Sequence, residues 1–277
     1  MIKSPLNYIG GKHKLLPQIL PLFPCRINHF VDLFAGGLDV SLNVNANQIT
    51  SNDINGYVID IFEYFKQQEI EDLIIKIRQV IEEYDLSKTN RKGYDNLREQ
   101  YNLQHNPLYL FVLICYGFNH QIRFNNNGEF NNPFGINRSS YNPRIEKNLR
   151  AMHPKLANMI FTKSNFHDFI IDGLRPDDLL YADPPYLITC GSYNDGKRGF
   201  EGWNQEDDFA LFALLDELNR RDIHFAMSNV TQHKGQENKA LIDWAHQYQV
   251  HKIESNYNNC NYQTGKSETV EVLITNY

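Results

Sequence analysis

Four consecutive residues, Asp183-Pro184-Pro185-Tyr186, bring together groups of matched chemistry. Asp183 supplies a carboxylate acceptor. Pro184 supplies a carbonyl whose direction is stiffened by its own ring and that of Pro185. Tyr186 supplies a flat aromatic face. An acceptor, a rigid carbonyl and a stacking platform suit an exocyclic amine on a planar base. The apolar residues Leu180-Tyr181-Ala182 read as the end of a buried strand, and two prolines forbid its continuation as strand or helix. An acid where a strand of an open α/β sheet runs out stands where such sheets bind ligands. Taken alone, the tetrapeptide fits a capped strand end with a packed tyrosine equally well, so the rest of the chain must decide.

A second group of candidates lies near the N-terminus. Asn7-Tyr8-Ile9-Gly10-Gly11-Lys12 precedes a helix-like run from Lys14 to Leu22. Two glycines before a helix let backbone N–H groups approach an anion, and Lys12 adds a charge, although an ordinary turn accounts for this stretch by itself. His29 to Phe34, containing Asp32, reads as a buried parallel strand. Ala35-Gly36-Gly37 is a tight turn, Leu38 to Val44 reads as a helix, and a second strand from Gln48 to Ser51 ends at Asn52-Asp53. An acid closing the second strand, beyond a glycine turn closing the first, suits the ribose diol of a nucleoside. The spacing Phe-x-Gly-Gly is not G-x-G-x-x-G, which disfavours a dinucleotide; a nucleoside without phosphates, such as S-adenosylmethionine, fits better. Asp53 also fits as a helix cap.

These residues need elements to hold them. Val58–Lys66, Glu69–Tyr84, Thr89–Asn102 and Asn106–Gly117 show helical spacing and interrupt the strand–helix alternation, which marks an inserted domain. Gln121 to Gly135 follows as a polar hairpin around Asn127-Gly128, with one arginine, Arg123, and five asparagines, Asn125 among them. Arginine suits guanine edges and asparagine adenine edges; a solvated loop of turn-formers is the plainer alternative. Alternation resumes with strands at Asn158–Thr162, Asp178–Asp183, Ile223–Met227, Val250–Ser255 and Glu268–Tyr277. Helices are expected at Glu206–Arg221 and Gln236–Tyr248, a short turn at Phe166–Ile170, and polar loops at Gly191–Trp203 and Asn256–Lys266. The fold class is α/β, an open sheet with a mainly helical insertion.

Composition narrows the function classes. The net charge of −6 argues against nucleic acid, but from Ser87 to Lys155 ten Lys and Arg stand against four acids, a net +6, leaving −12 elsewhere. A basic block in an acidic protein is a polyanion footprint. The four cysteines lie far apart with no C-x-x-C pair, so neither a disulfide framework nor a zinc site is expected. Met1 to Gln18 has no continuous apolar run, so no signal peptide or membrane span is expected, and the cytoplasm is the expected location.

A Phe-x-Gly-Gly turn, a basic helical insert and Asp-Pro-Pro-Tyr, in that order, resemble the α group of amino-methyltransferases. Tyr8-Ile9-Gly10-Gly11-Lys12, Val31 to Gly37, Ser51-Asn52-Asp53-Ile54, Asn96-Leu97-Arg98, Arg123-Phe124-Asn125 and Asn132-Pro133-Phe134-Gly135 resemble Dam-type (D12 class) DNA adenine methyltransferases. Ser41 to Asn45 and Tyr186 to Thr189 resemble the phage-encoded members most. The resemblance implies a Rossmann-like methyltransferase sheet, with catalytic parts at 1–57 and 157–277 and a target-recognition domain at 58–156. It implies S-adenosylmethionine as methyl donor, S-adenosylhomocysteine as product, no metal, and adenine N6 in GATC as acceptor. By position, Tyr8, Gly10, Gly11, Lys12, Asp32, Phe34, Ala35, Gly36, Gly37, Asp53 and Asp183 would hold the cofactor, with Phe166 beside its adenine. Lys88, Arg91, Arg98, Phe118, Asn119, Gln121, Arg123, Asn125 and Pro133 would meet DNA; Gln121 departs from the Leu or Met usual there. The expected partner is double-stranded DNA and, for a restriction-modification member, a cognate restriction endonuclease; the expected state is a monomer. A protein-glutamine or RNA amino-methyltransferase, whose loop usually opens with Asn, would not need the basic insert. A catalytically dead DNA-binding relative would not need Asp183 or the glycine turn.

Overall fold

Strands that read as near-continuous apolar runs require cover on both faces, and the computed structural model, which describes residues 1–189, 202–254 and 269–277, provides it. The chain opens with a short helix α1 (Leu16–Ile19), then β1 (His29–Asp32) and β2 (Gln48–Asn52). Between β2 and β3 lie α2 (Gly56–Lys66), α3 (Ile70–Glu83), α4 (Arg91–Gln104), α5 (Pro107–Tyr116) and α6 (Pro143–Leu156). Then come β3 (Met159–Thr162), β4 (Leu179–Ala182), α7 (Gln205–Arg220), β5 (His224–His233), β6 (Gln236–Glu237), α8 (Lys239–Ala245), β7 (Gln249–Ile253) and β8 (Thr269–Thr275). The sheet order is β3-β2-β1-β4-β5-β8-β7, with β6 beside β5. β1 to β5 are parallel; β8 runs antiparallel between β5 and β7. Alternate residues serve opposite faces. Phe30, Leu179 and Tyr181 join the core of the inserted helices, whereas Val31, Leu180 and Ala182 pack with Leu211, Leu215 and Leu241 of α7 and α8.

The expected α/β class holds, two local expectations are corrected, and one further helix is found. Leu38–Val44 is a run of turns rather than a helix. Leu38 has φ +67°, Ser41 turns its hydroxyl to Asp32, and the Asn43 amide bonds the Ile2 and Asp39 carbonyls. Such side chains offer the backbone an alternative to the helical ladder. The helix expected from Gln236 begins only at Lys239, because Gln236-Glu237 pairs with β5 and Asn238 caps the helix. α6 was not foreseen; Asn142 caps it, Pro143 opens it, and Leu149, Met152 and Leu156 bury one stripe. The expected loop at Gly191–Trp203, apart from Gly202 and Trp203, and the one at Asn256–Lys266 lie outside the described residues. Among the described residues no helix is long and apolar enough to cross a membrane.

One side chain stitches the strand ends that carry the candidate site. Asn52, fully buried, donates to the carbonyls of Leu33 and Ser164, both at 3.0 Å. It accepts from the Thr162 hydroxyl (2.8 Å), the Ser164 hydroxyl (2.8 Å) and the Ser164 N–H (3.1 Å). It thereby ties β1 to β2 and to the turn after β3. Asn52→Ala strands several buried partners, each a desolvation penalty, and should lower the unfolding free energy by about 2–4 kcal/mol in urea titrations. Ile160→Ala, at a position 47% exposed on edge strand β3, should stay within about 0.5 kcal/mol.

Candidate active site

Strand order reverses between β1 and β4, because the chain leaves β1 toward β2 on one side and β4 toward β5 on the other. Ligand crevices of open parallel sheets lie at such switch points, beyond the carboxyl ends of the strands. Asp32 ends β1, Asp53 follows β2 and Asp183 follows β4, so three acids project from three adjacent strands. All three line one cavity of about 340 Å³, together with Tyr8, Gly10, Gly11, Lys12, Phe34, Gly36, Gly37, Pro184, Pro185 and Tyr186. Residues from the first forty positions and from the Asp-Pro-Pro-Tyr stretch thus converge on one cavity.

Asp183 is held from two sides. Lys12 Nζ lies 2.7 Å from Asp183 Oδ2, with side-chain exposures of 6% and 17%, and also donates to the Gly10 carbonyl at 3.0 Å. The Tyr186 hydroxyl donates to Asp183 Oδ1 at 2.8 Å, and the Lys12 ammonium sits 5.2 Å from the centre of the Tyr186 ring. Burial, with the Asp183 and Glu271 carboxylates nearby, holds the Tyr186 phenol well above its usual range, so it remains a donor. The Thr189 N–H and hydroxyl close a turn onto the Tyr186 carbonyl. Among the described residues no donor reaches the Pro184 carbonyl.

The glycine turn is shaped by a close approach. Gly36 has φ +45°, and a Cβ there would stand 2.8 Å from the Tyr8 ring; one on Gly37 would stand 2.9 Å from Tyr8 Cβ. The turn is braced by Asp53, whose carboxylate accepts the Gly36 N–H and the Asn55 N–H, each at 2.8 Å. Asp53 therefore organises the backbone as well as facing the cavity; burial still pushes its carboxyl up against these two bonds. Asp32 accepts the Ser41 hydroxyl at 2.7 Å, while its Oδ1 is buried with no partner among the described residues. Phe166 does not line the cavity. It packs behind it, 5.6 Å from Phe34 and 5.2 Å from Trp203.

The hairpin that carries Arg123 is built as a framed loop with isolated bridges at Gly117–Phe134 and Phe124–Phe130. The Asn102 amide on α4 bonds both backbone groups of Phe130, the Tyr94 hydroxyl bonds the Asn132 carbonyl, and Asn131 N–H bonds the Arg123 carbonyl. Phe118 and Pro133 are joined by a backbone bond of 2.7 Å. Phe118 is 39% exposed, and Asn119 has φ +54°. Asn125 is committed within the turn: its Oδ1 accepts the N–H of Asn127 and Glu129, and its Nδ2 donates to Glu129. Arg91 and Arg98 share Asp95, and Gln121 is half-buried. Arg123 and Lys88 are exposed and make no ion pair among the described residues. At the hairpin's base Ile122 and Phe124 line the cavity, and Phe124 stacks on Tyr57 at 4.2 Å. Ile122 and Phe124 are thus the hairpin residues that reach the cavity, and none of the nine recognition candidates lines it.

Sequence reading missed Glu271 on β8. Its carboxylate accepts from the Tyr186 hydroxyl at 3.3 Å and lies 3.9 Å from Lys12 Nζ. The signal was available: an acid inside the apolar run Val270–Ile274 is a buried charge, and a buried charge needs partners. Among the described residues no group of three or more His, Cys, Asp or Glu is placed to hold a metal ion.

Burial pushes the Asp32 carboxyl up from 3.8 to about 7, opposed by the Ser41 bond and aided by the Asp183 and Asp53 carboxylates. The folded protein then keeps a proton here that the unfolded chain releases. The stability this provides is complete below pH ~4 and is lost as pH rises through about 7. Asp32→Asn stays neutral and should escape that loss. Urea unfolding should find the variant more stable than the parent at about pH 8, with the gap closing near pH 4. A gap independent of pH would contradict the assignment.

Comparison with known proteins agrees with this arrangement. The family described as D12 class N6 adenine-specific DNA methyltransferase matches residues 8–259. The chain is 51% identical over 280 residues to the type II methyltransferase M.FokI of Planomicrobium okeanokoites and 48% identical over 280 residues to the modification methylase StsI of Streptococcus sanguinis. Both alignments cover 100% of this chain but only 43% of the relative, so the chain spans less than half the length of either protein. It is 30% identical over 234 residues to the DNA adenine methylase of Escherichia coli K12, covering 81% of this chain and 79% of that one. With Asp-Pro-Pro-Tyr at the switch point and the glycine turn beside it, this chain belongs to the D12 class of N6 adenine-specific DNA methyltransferases.

Proposed function

We propose that this chain transfers a methyl group from S-adenosylmethionine to N6 of an adenine turned out of double-stranded DNA. The observation that carries the reading is the pairing of the Asp183 carboxylate with the Pro184 carbonyl beside a cavity lined by Asp32, Asp53 and the glycine turn. The cavity residues suit the cofactor. Asp32 Oδ1 is buried with no partner among the described residues, which suits a cation such as an amino-acid ammonium, and Asp53 stands where a ribose diol would be held. When bound, S-adenosylmethionine supplies an electrophilic methyl group on a sulfonium.

The chain's own residues act on the amine. Adenine N6 is a poor nucleophile because its lone pair is delocalised into the ring. Accepting hydrogen bonds from its two N–H groups, at the Asp183 carboxylate and the Pro184 carbonyl, favours a more tetrahedral nitrogen and frees that lone pair. The remaining work is alignment and stabilisation of developing charge. No strong base is needed beforehand, since the methylated amine is a cation that sheds a proton readily. Tyr186, its hydroxyl tied down, offers its ring to the flipped base. Residues 58–156 serve as the target-recognition domain between two catalytic segments, and Arg123, the hairpin's one arginine, reads a guanine. We take GATC as the sequence context, from the Dam likeness, and a cytoplasmic restriction-modification setting from the type II relatives.

Expression in a host lacking adenine methylation, followed by sequencing of modified DNA, tests activity and context together. N6-methyladenine should appear at one short motif; none at all overturns the function, and a motif other than GATC overturns only the context. Asp183→Ala should abolish single-turnover transfer at saturating cofactor while DNA still binds. Arg123→Ala should relax the preference at one guanine by about 1–3 kcal/mol across a set of singly altered duplexes. Uniform slowing at every site would make Arg123 an anchor instead.

A further inference from the structure

Glu271 stands beside both groups that hold Asp183. The Tyr186 hydroxyl is 2.8 Å from Asp183 Oδ1 and 3.3 Å from Glu271 Oε1; Lys12 Nζ is 2.7 Å from Asp183 Oδ2 and 3.9 Å from Glu271 Oε1. One ammonium and one phenol are thus within reach of two carboxylates. The Glu271 side chain is 2% exposed, and its backbone is fixed between Val230 of β5 and Ile253 of β7. Lys12 reaches the cluster on a flexible four-carbon stem, steadied by the Gly10 carbonyl.

This arrangement matters if Asp183 must receive an amine, and the inference rests on that functional reading. A carboxylate engaged by an ammonium is a weaker acceptor, and its charge is partly cancelled where positive charge must develop on the amine. We propose that Glu271 is a positioning residue that takes over Lys12 and the Tyr186 hydroxyl as Asp183 turns to the target amine. The change is an exchange of hydrogen bonds: no covalent bond breaks, and Lys12 and Tyr186 keep their protons. Lys12 needs to close only the difference between 3.9 Å and a direct contact, and the phenol already bridges both acids.

Glu271→Gln keeps the size of the side chain and an acceptor for Tyr186, but removes the charge that Lys12 would follow. Single-turnover methylation at saturating cofactor and DNA should fall about 10²-fold, with cofactor affinity unchanged by calorimetry. Adding Lys12→Met to Glu271→Gln should make transfer faster than in Glu271→Gln alone, because the cation stranded on Asp183 is gone. A structural brace would not be rescued by a second loss. Should Glu271→Gln fail to fold by circular dichroism, Glu271→Asp, which withdraws the charge by one methylene, takes its place with the same rescue expected. A rate within about twofold of the parent, or a double variant no faster than the single, overturns the exchange alone. A parent protein that transfers no methyl group overturns the functional reading and the exchange with it.

Discussion

Like charges gathered in a partly buried crevice repel one another and lose hydration, and each must find a local remedy. Asp32, Asp53 and Asp183 leave three adjacent strand ends, and the protein answers each acid differently. Asp53 receives two backbone N–H groups and so doubles as the brace of the glycine turn. Asp32 receives one hydroxyl, and its carboxyl is held near 7. Asp183 receives an ammonium and a phenol. A carboxylate fixed by backbone donors is rigid; one held by two side chains can exchange partners.

The inserted helices answer a second constraint, that of presenting a polar loop without letting it wander. The hairpin sinks Phe124, Phe130 and Phe134 into the core, where little burial was expected of so polar a stretch, and amides and hydroxyls from outside fix the backbone between them. Asn102 imitates a strand neighbour for Phe130, and Tyr94 caps the Asn132 carbonyl. Phe124 carries the frame inward by stacking on Tyr57 at the rim of the cavity. The hairpin and the cavity thereby share one wall.

Much of this was legible in the sequence, for identifiable reasons. The strands announced themselves because both sheet faces are covered, and Asp-Pro-Pro-Tyr announced itself because two prolines must end a strand. Proximity was less legible. Nothing in the spacing reveals that Lys12 rests on Asp183, or that a strand more than eighty residues further on adds Glu271. Local bonding was not legible either: nothing in the spacing reveals that both ends of the Asn125 amide bond within the turn. The run from Leu38 looked helical by hydrophobic spacing, and Ser41 and Asn43 diverted it by bonding elsewhere. α6 went unseen because its basic, proline-containing sequence hides a narrow apolar stripe.

The placement of β8 between β5 and β7 has a consequence for how the protein is made. Its strand must slip between two partners, both earlier in the chain, and it delivers Glu271 to a cluster whose lysine is residue 12. During synthesis the helices and the hairpin frame can settle while this slot is still empty. Such contacts between distant parts of a chain are slow to form. Glu271 therefore reaches Lys12 and Tyr186 only once β8 has taken its place between β5 and β7.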